Sequence, residues 1–203
     1  MVDAQISNRN YVLEWKLTLD ELEDMVSQAP SLRGVLMGYL AEYRLQKQWL
    51  TDSRLSRVVK FDEHNRKVNK ADFMFTYRGN DIRLQVKSLQ TNQVRHENSN
   101  WIGKFQCDAS DKRRVEFPDG SFVDTTCLLI GDFDVVAVNL FEFGREWNFA
   151  FACNQELPRS RYKKYTEYQR GFLLSSLMPI SFPVEPPYSL NLFETLDRAI
   201  QNK

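Results

Sequence analysis

An aspartate, a glutamine and a lysine stand at Asp72, Gln85 and Lys87 in the stretch KADFMFTYRGNDIRLQVKSLQ, residues 70–90. A carboxylate binds a hard divalent cation, usually Mg²⁺, which keeps most of its waters. Such a cation lowers the pKa of a bound water and stabilises charge developing on a phosphate. A lysine beside it orients or helps to deprotonate the attacking water and offsets phosphate charge. A glutamine has no charge, but its carbonyl oxygen can face a cation or accept from a water. The same three residue types would also suit the solvated face of an ordinary amphipathic hairpin.

The elements that must position them are legible in the pattern around them. Gly79-Asn80 suits a two-residue turn that needs positive φ, between runs read as strands at 71–78 and 82–89. Centred there, the turn sets Asp72 opposite Lys87, Met74 opposite Gln85 and Thr76 opposite Arg83. Phe73, Phe75, Tyr77, Ile82, Leu84 and Val86 then share the other face, which is wholly apolar and must be buried. A four-residue loop closing Tyr77 on Ile82 gives the same pairing. An earlier strand is expected at 57–61.

Before the strands, Thr18 with Glu21 reads as a capping box opening a helix that ends near Pro30, and Leu17 can staple onto Leu22. A second helix follows with Ser31 as N-cap and an apolar face through Leu32, Val35, Leu36, Tyr39, Leu40 and Tyr43. Gly34, Gly38 and Glu42 recur every four residues along a neighbouring edge. Glycine there costs about 1 kcal/mol each relative to alanine, which a close approach to another backbone would offset. If that backbone is the sheet, Glu42 is carried towards it. Later strands are expected in TTCLLI and DFDVVAVNLFEF, with WNFAFAC returning from a turn at Gly144. TEYQRGFLLSSLM reads as a helix capped by Thr166 and Gln169 and stopped by the loop PISFPVEPP; SLNLFETLDRAIQ reads as a last helix. TNQVRHENSNWIGKF, after the strand at 82–89, is polar and ambiguous, a loop with a short helix, and the long polar stretch 90–121 is the place for an insertion. This order makes a mixed α/β domain around one central sheet.

Asp72, a dozen residues, then Gln85-Val86-Lys87 resembles the PD-(D/E)XK nuclease superfamily. The resemblance covers residues 31–90, with FDVVAVNL fitting a later core strand. It implies a restriction-endonuclease-like αβββαβ core, a central mixed sheet flanked by helices. The chain then reads as one nuclease domain, with residues 1–30 a helical extension, 31–157 the core and 158–203 C-terminal helices. The resemblance implies that Asp72, the Val86 carbonyl and Glu42 hold Mg²⁺, for which Mn²⁺ can substitute. It also makes Lys87 the catalytic lysine, with Gln85 positioning water or metal. Ala71 replaces the family's proline and Gln85 its second acid, a QxK variant resembling Mrr-like restriction endonucleases. The implied activity is Mg-dependent hydrolysis of DNA phosphodiester bonds by a restriction or defence enzyme. The alternatives are a recombination or repair nuclease and a catalytically silent nucleic-acid-binding or assembly subunit. Cutting both strands of double-stranded DNA needs two sites, hence a homodimer.

Two basic stretches are candidate DNA contacts. PRSRYKKYTEYQR offers Arg159, Arg161, Lys163 and Lys164 with interleaved tyrosines; DKRR offers Lys112, Arg113 and Arg114. Solvated surface is the competing reading of both. Basic residues at a helix start oppose its dipole. His64 and His96 have no nucleophile or carboxylate partner at a recognisable spacing, and DEHN at 62–65 lacks the rest of a histidine nuclease motif. Asp132 and Asp134 suit turn and capping roles.

The chain has 203 residues and 42% hydrophobic content, enough for a real core. Its 27 basic and 27 acidic residues cancel, so only a local patch could attract a polyanion. Three widely spaced cysteines with no CxxC pair disfavour a zinc ribbon and suit free thiols in a reducing compartment. With no leader and no long apolar run, a cytoplasmic protein with no membrane partner is expected.

Overall fold

The computed structural model describes residues 10–61 and 70–202, and divides into two units, 1–39 and 40–203. In the first unit lie α1 (Tyr11–Glu14), α2 (Leu19–Gln28) and the opening of α3 (Pro30–Gln48). The expected capping box forms at α2. Thr18 Oγ1 accepts from Glu21 N at 3.2 Å, and the Glu21 carboxylate accepts from Thr18 N at 2.8 Å. Ser31 is not the cap of α3. Pro30 is already its first residue, where a fixed φ and a missing N–H cost nothing. Gly34 and Gly38 also depart from expectation. A Cβ added to either would meet nothing within 4 Å among the described residues.

The second unit is built on a five-stranded mixed sheet in the order β1-β2-β3-β8-β9. β1 (Leu55–Lys60), β2 (Phe73–Tyr77) and β3 (Asn80–Ser88) form an antiparallel meander. β8 (Val135–Asn139) runs parallel to β3, and β9 (Phe149–Cys153) returns antiparallel to β8. β8 and β9 are buried at every residue, as expected of strands covered on both faces. Val135, Ala137 and Phe151 face a core shared with Ala41 and Leu45 of α3 and with Leu192, Phe193 and Leu196 of α5 (Leu192–Gln201). Val136, Val138, Ala150 and Ala152 face a second core with Phe105, Cys107, Leu128 and Met178.

The β2–β3 turn corrects the expected register. Tyr77 pairs with Asn80, so the loop is Arg78-Gly79, with φ of +48° and +76°. Phe73 therefore opposes Leu84, Met74 opposes Arg83, Phe75 opposes Ile82 and Thr76 opposes Asp81. The pairing slides by two residues. An even slide keeps every side chain on its face, and the apolar set from Phe73 to Val86 is buried as the alternation requires.

Between β3 and β8, where an αβββαβ core would place a helix, the chain makes a single 3₁₀ turn (Thr91–Gln93) and four strands. These are β4 (Arg95–Glu97), β5 (Asn100–Gln106), β6 (Asp108–Glu116) and β7 (Phe122–Cys127). The stretch read as loop with a short helix is thus mostly strand. β6 and β7 pair as a two-stranded ribbon. β5 lies between β4 and β10 (Leu177–Phe182). The helix expected over 166–178 is shorter: α4 spans Glu167–Phe172, with Thr166 and Gln169 forming the predicted box. Leu173 and Leu174 then extend and are buried against Leu129 and Arg159 in isolated bridges. Pro179, expected in a loop, sits in β10, an edge strand where its missing N–H is tolerated. Among the described residues no helix is long and apolar enough to cross a membrane.

Candidate functional site

Asp72 stands just ahead of β2 and continues its ladder: its N–H donates to Leu84 O and its carbonyl accepts from Phe61 N, both at 2.9 Å. Along the corrected register the residue across from it is Gln85, not Lys87. The chemistry follows. Asp72 Oδ2 accepts from Gln85 Nε2 at 2.7 Å and from Val86 N at 2.6 Å. A carboxylate can only accept, so Gln85 must turn its amide nitrogen to Asp72, and its carbonyl oxygen is the group left to face elsewhere. Both bonds are charge-assisted and short, and Asp72 itself is buried.

Lys87 lies two residues beyond Gln85 on the same face of β3. Its Nζ is 3.4 Å from the carbonyl oxygen of Asp108, the first residue of β6. Cys107 is buried behind that position. Burial pushes its thiol up to about 11, against an opposing pull from the Lys87 charge.

Asp72, Gln85 and Lys87 open on one cavity of about 700 Å³. Lys70 stands on the same side, and Asp108, Ser110, Asp111, Lys112 and Arg113 of the ribbon form the opposite wall. Arg113 Nη2 bonds Asp132 Oδ2 at 2.8 Å, and the same oxygen accepts from Leu129 N at 2.9 Å. Arg113 Nη1 is buried and has no hydrogen-bond partner among the described residues. Asp134 accepts from Arg83 N at 2.7 Å, tying β3 to the start of β8. Both aspartates hold the backbone around the cavity, as turn and capping residues do.

Glu42 is buried on α3, and its Oε2 lies 2.9 Å from Lys60 Nζ. Lys60 pairs with Phe73 across β1 and β2, so it belongs to the helix-covered face of the sheet. Asp72, Gln85 and Lys87 alternate onto the other face, and Glu42 is not in their cavity wall. No three His, Cys, Asp or Glu side chains among the described residues converge as a metal cluster. The oxygen donors lining the cavity are the carboxylates of Asp72, Asp108 and Asp111, the Gln85 amide oxygen and the Ser110 hydroxyl. That oxygen-only set suits a hard cation that keeps most of its waters, and suits zinc poorly.

The basic candidates divide. The Arg159 guanidinium donates to the carbonyls of Leu157 and Gln155, and burial lowers its pKa. It binds its own backbone. Arg161, Lys163 and Lys164 are exposed on the loop before α4. That loop is fastened to the ribbon by a 2.7 Å bond between Tyr165 and Thr125 hydroxyls and by Gln169 Nε2 donating to Ser121 Oγ at 3.2 Å. One basic stretch therefore lies in the ribbon itself, and the other, about fifty residues on in sequence, is fastened to it. Lys112 is exposed at the cavity, while Arg114 stacks on Phe122 with its guanidinium carbon 3.5 Å from the ring centroid. His96 packs against Trp101, and His64 lies outside the described residues.

Sequence reasoning did not single out Lys70, Asp108, Ser110 or Asp111. Their only signal was membership of polar segments, and nothing local shows that the ribbon folds back over the hairpin.

No family model matches the chain, and no curated protein matches it. A solved structure to which it is similar is that of the bacterial homing endonuclease I-Ssp6803I. The identity is 14% and the TM-score 0.34, over 71% of this chain and 89% of that one. A likeness of that extent decides neither the fold nor the chemistry, which rest on the geometry above.

Proposed function

We propose that the chain is a Mg-dependent endonuclease that hydrolyses DNA phosphodiester bonds on a restriction-endonuclease-like core. The observation that carries this reading is the cavity onto which Asp72, Gln85 and Lys87 open together, walled opposite by Lys112 and Arg113. Asp72, the Gln85 carbonyl and the Val86 carbonyl would hold Mg²⁺ or Mn²⁺, with Glu42 assisting only through a rearrangement of its pair with Lys60. The cation would supply an acidified water and charge stabilisation at the phosphate. Gln85 orients Asp72 through its amide nitrogen. Lys87 would hold the attacking water, and Lys112 with the Arg113 guanidinium would take up phosphate charge. Arg161, Lys163 and Lys164 extend the basic surface along the ribbon for the DNA backbone. A restriction or defence role is favoured over recombination or repair by the QxK arrangement, and a homodimer would bring two sites to a duplex.

A second reading has its own observation. Oδ2 of Asp72 is already held by two donors and Glu42 by Lys60, as suits a silent subunit that binds nucleic acid without cutting it. Nicking of supercoiled plasmid in Mg²⁺ or Mn²⁺ separates the two. Cleavage by the wild type that is lost in Lys87→Ala and Asp72→Asn supports hydrolysis at this site. Cleavage that survives Lys87→Ala removes the site assignment, and plasmid binding without cleavage supports the silent subunit.

A further inference from the structure

The cavity shared by Asp72, Gln85 and Lys87 is closed directly by the base of the ribbon. Lys87 Nζ lies 3.4 Å from the carbonyl oxygen of Asp108, and Asp72 is buried. The volume of about 700 Å³ falls within the roughly 300–1,000 Å³ of sites that enclose one small molecule. A duplex, whose major groove alone is about 12 Å wide, does not enter a space of that size. The backbone of one strand does.

A line of side chains leads out of the cavity along the ribbon, all within residues 40–203. Arg113, in the cavity wall, pairs with Thr125 across β6 and β7, so the two side chains share a face. The Thr125 hydroxyl meets that of Tyr165 at 2.7 Å, and the Tyr162 ring stands edge-on to Tyr165 with centroids 5.1 Å apart. Tyr168 follows on α4, which Gln169 ties to the ribbon at Ser121. Tyr162 is 52% exposed and Tyr168 44%, and Arg161, Lys163 and Lys164 are exposed beside them. Cations take phosphates, but an open ring gains from a base only when a face of that base is free. In a duplex both faces are covered by neighbouring bases, and uncovering one costs unstacking energy.

We propose that the site takes a single unpaired nucleic-acid strand, whose backbone enters the cavity while its bases stack on Tyr162 and Tyr168. This narrows the duplex implied by the family resemblance to an unpaired strand, and it rests on the hydrolytic reading only for what happens to that strand.

Fluorescence anisotropy in EDTA measures it on the full chain, apart from any cleavage. The probes are oligothymidylate and oligouridylate of about 20 nucleotides, longer than one site of this kind, and a duplex of equal length. At about 0.15 M salt one of the single strands is expected to bind at least about tenfold more tightly than the duplex; the better of the two assigns DNA or RNA. Tyr162→Ala and Tyr168→Ala should each weaken that binding about 5- to 100-fold, with the salt slope unchanged because no charge is lost. Tyr162→Phe and Tyr168→Phe keep the ring and should stay within about twofold of the wild type, with far-UV circular dichroism confirming that all four variants fold. A duplex bound as tightly as either single strand overturns the proposal, as does a chain that binds none of the probes. So do alanine variants that bind like the wild type. Phenylalanine variants as weak as the alanine ones also overturn it, since the hydroxyls would then be contacting phosphate. Single-strand binding of the expected pattern without cleavage in Mg²⁺ or Mn²⁺ upholds the proposal and removes only the hydrolytic reading.

Discussion

Replacing Gln85 by glutamate tests the candidate site through stability alone. In the wild type Gln85 Nε2 donates to Asp72 Oδ2 at 2.7 Å. In Gln85→Glu that donor becomes a second carboxylate oxygen facing the first. Two unit charges about 3 Å apart repel by about 5 kcal/mol at an effective dielectric near 20. The lost bond to a charged acceptor adds about 1.5–3 kcal/mol. The introduced carboxylate can swing into the cavity and relieve much of this, so a net loss of about 2–4 kcal/mol is expected without divalent cations. For a chain of this size that lowers Tm by roughly 5–15 °C. A cation shared by the two carboxylates reverses the sign of their interaction. At a hundredfold excess over its Kd it returns about 2.7 kcal/mol, most of the deficit. Scanning calorimetry of wild type, Gln85→Glu and Gln85→Met, each with EDTA, Mg²⁺ or Mn²⁺, reads all the terms, with methionine reporting the lost hydrogen bond alone. Recovery in Mg²⁺ is expected for glutamate and not for methionine. A glutamate variant that melts with the wild type, or melts low and gains nothing from either cation, would refute the reasoning that residues 72 and 85 share one ion-binding position.

Other outcomes follow from the same geometry. Gly34→Ala and Gly38→Ala meet empty space, so each should stabilise α3 by about 1 kcal/mol, read as higher helicity and Tm. Arg159→Ala leaves the carbonyls of Gln155 and Leu157 without their donor and should cost about 1–3 kcal/mol. Lys163→Ala and Lys164→Ala should leave Tm unchanged, weaken DNA binding and each lower the salt slope of log Kd by about 1. All three cysteines are buried thiols, and Cys107 rises from an ordinary value near 9 to about 11 in the folded chain. Its raised pKa contributes stability fully present below about pH 9 and lost as pH climbs towards 11, on the order of 2–3 kcal/mol. Denaturant melts at pH 8 and 11 should show a smaller alkaline loss in Cys107→Ala than in the wild type.

Local rules were legible wherever the cause was local. Both capping boxes, at Thr18 and Thr166, lie three residues from their partners and formed as read. The alternation from Phe73 to Val86 assigned the faces of the hairpin, because the side-chain period in a strand is two. The same alternation could not set which residue opposes which. Arg78 took a positive φ that a non-glycine residue seldom adopts, and the turn moved, making Gln85 rather than Lys87 the neighbour of Asp72. The helix read at 166–178 failed for a tertiary reason, since Leu173, Leu174 and Met178 are buried against strands that arrive from residues 102–129.

By itself, then, the sequence determined which side chains share a face with Asp72 and where α2 and α4 begin. The tertiary structure alone decided what stands across the cavity from them. Lys112 and Arg113 reach it because the ribbon folds back over the hairpin edge, and Glu42 lies away from it because Lys60 holds that carboxylate on the other side of the sheet. Contacts between residues more than twenty positions apart depend on how whole elements pack, and neither periodicity nor spacing along the chain encodes that.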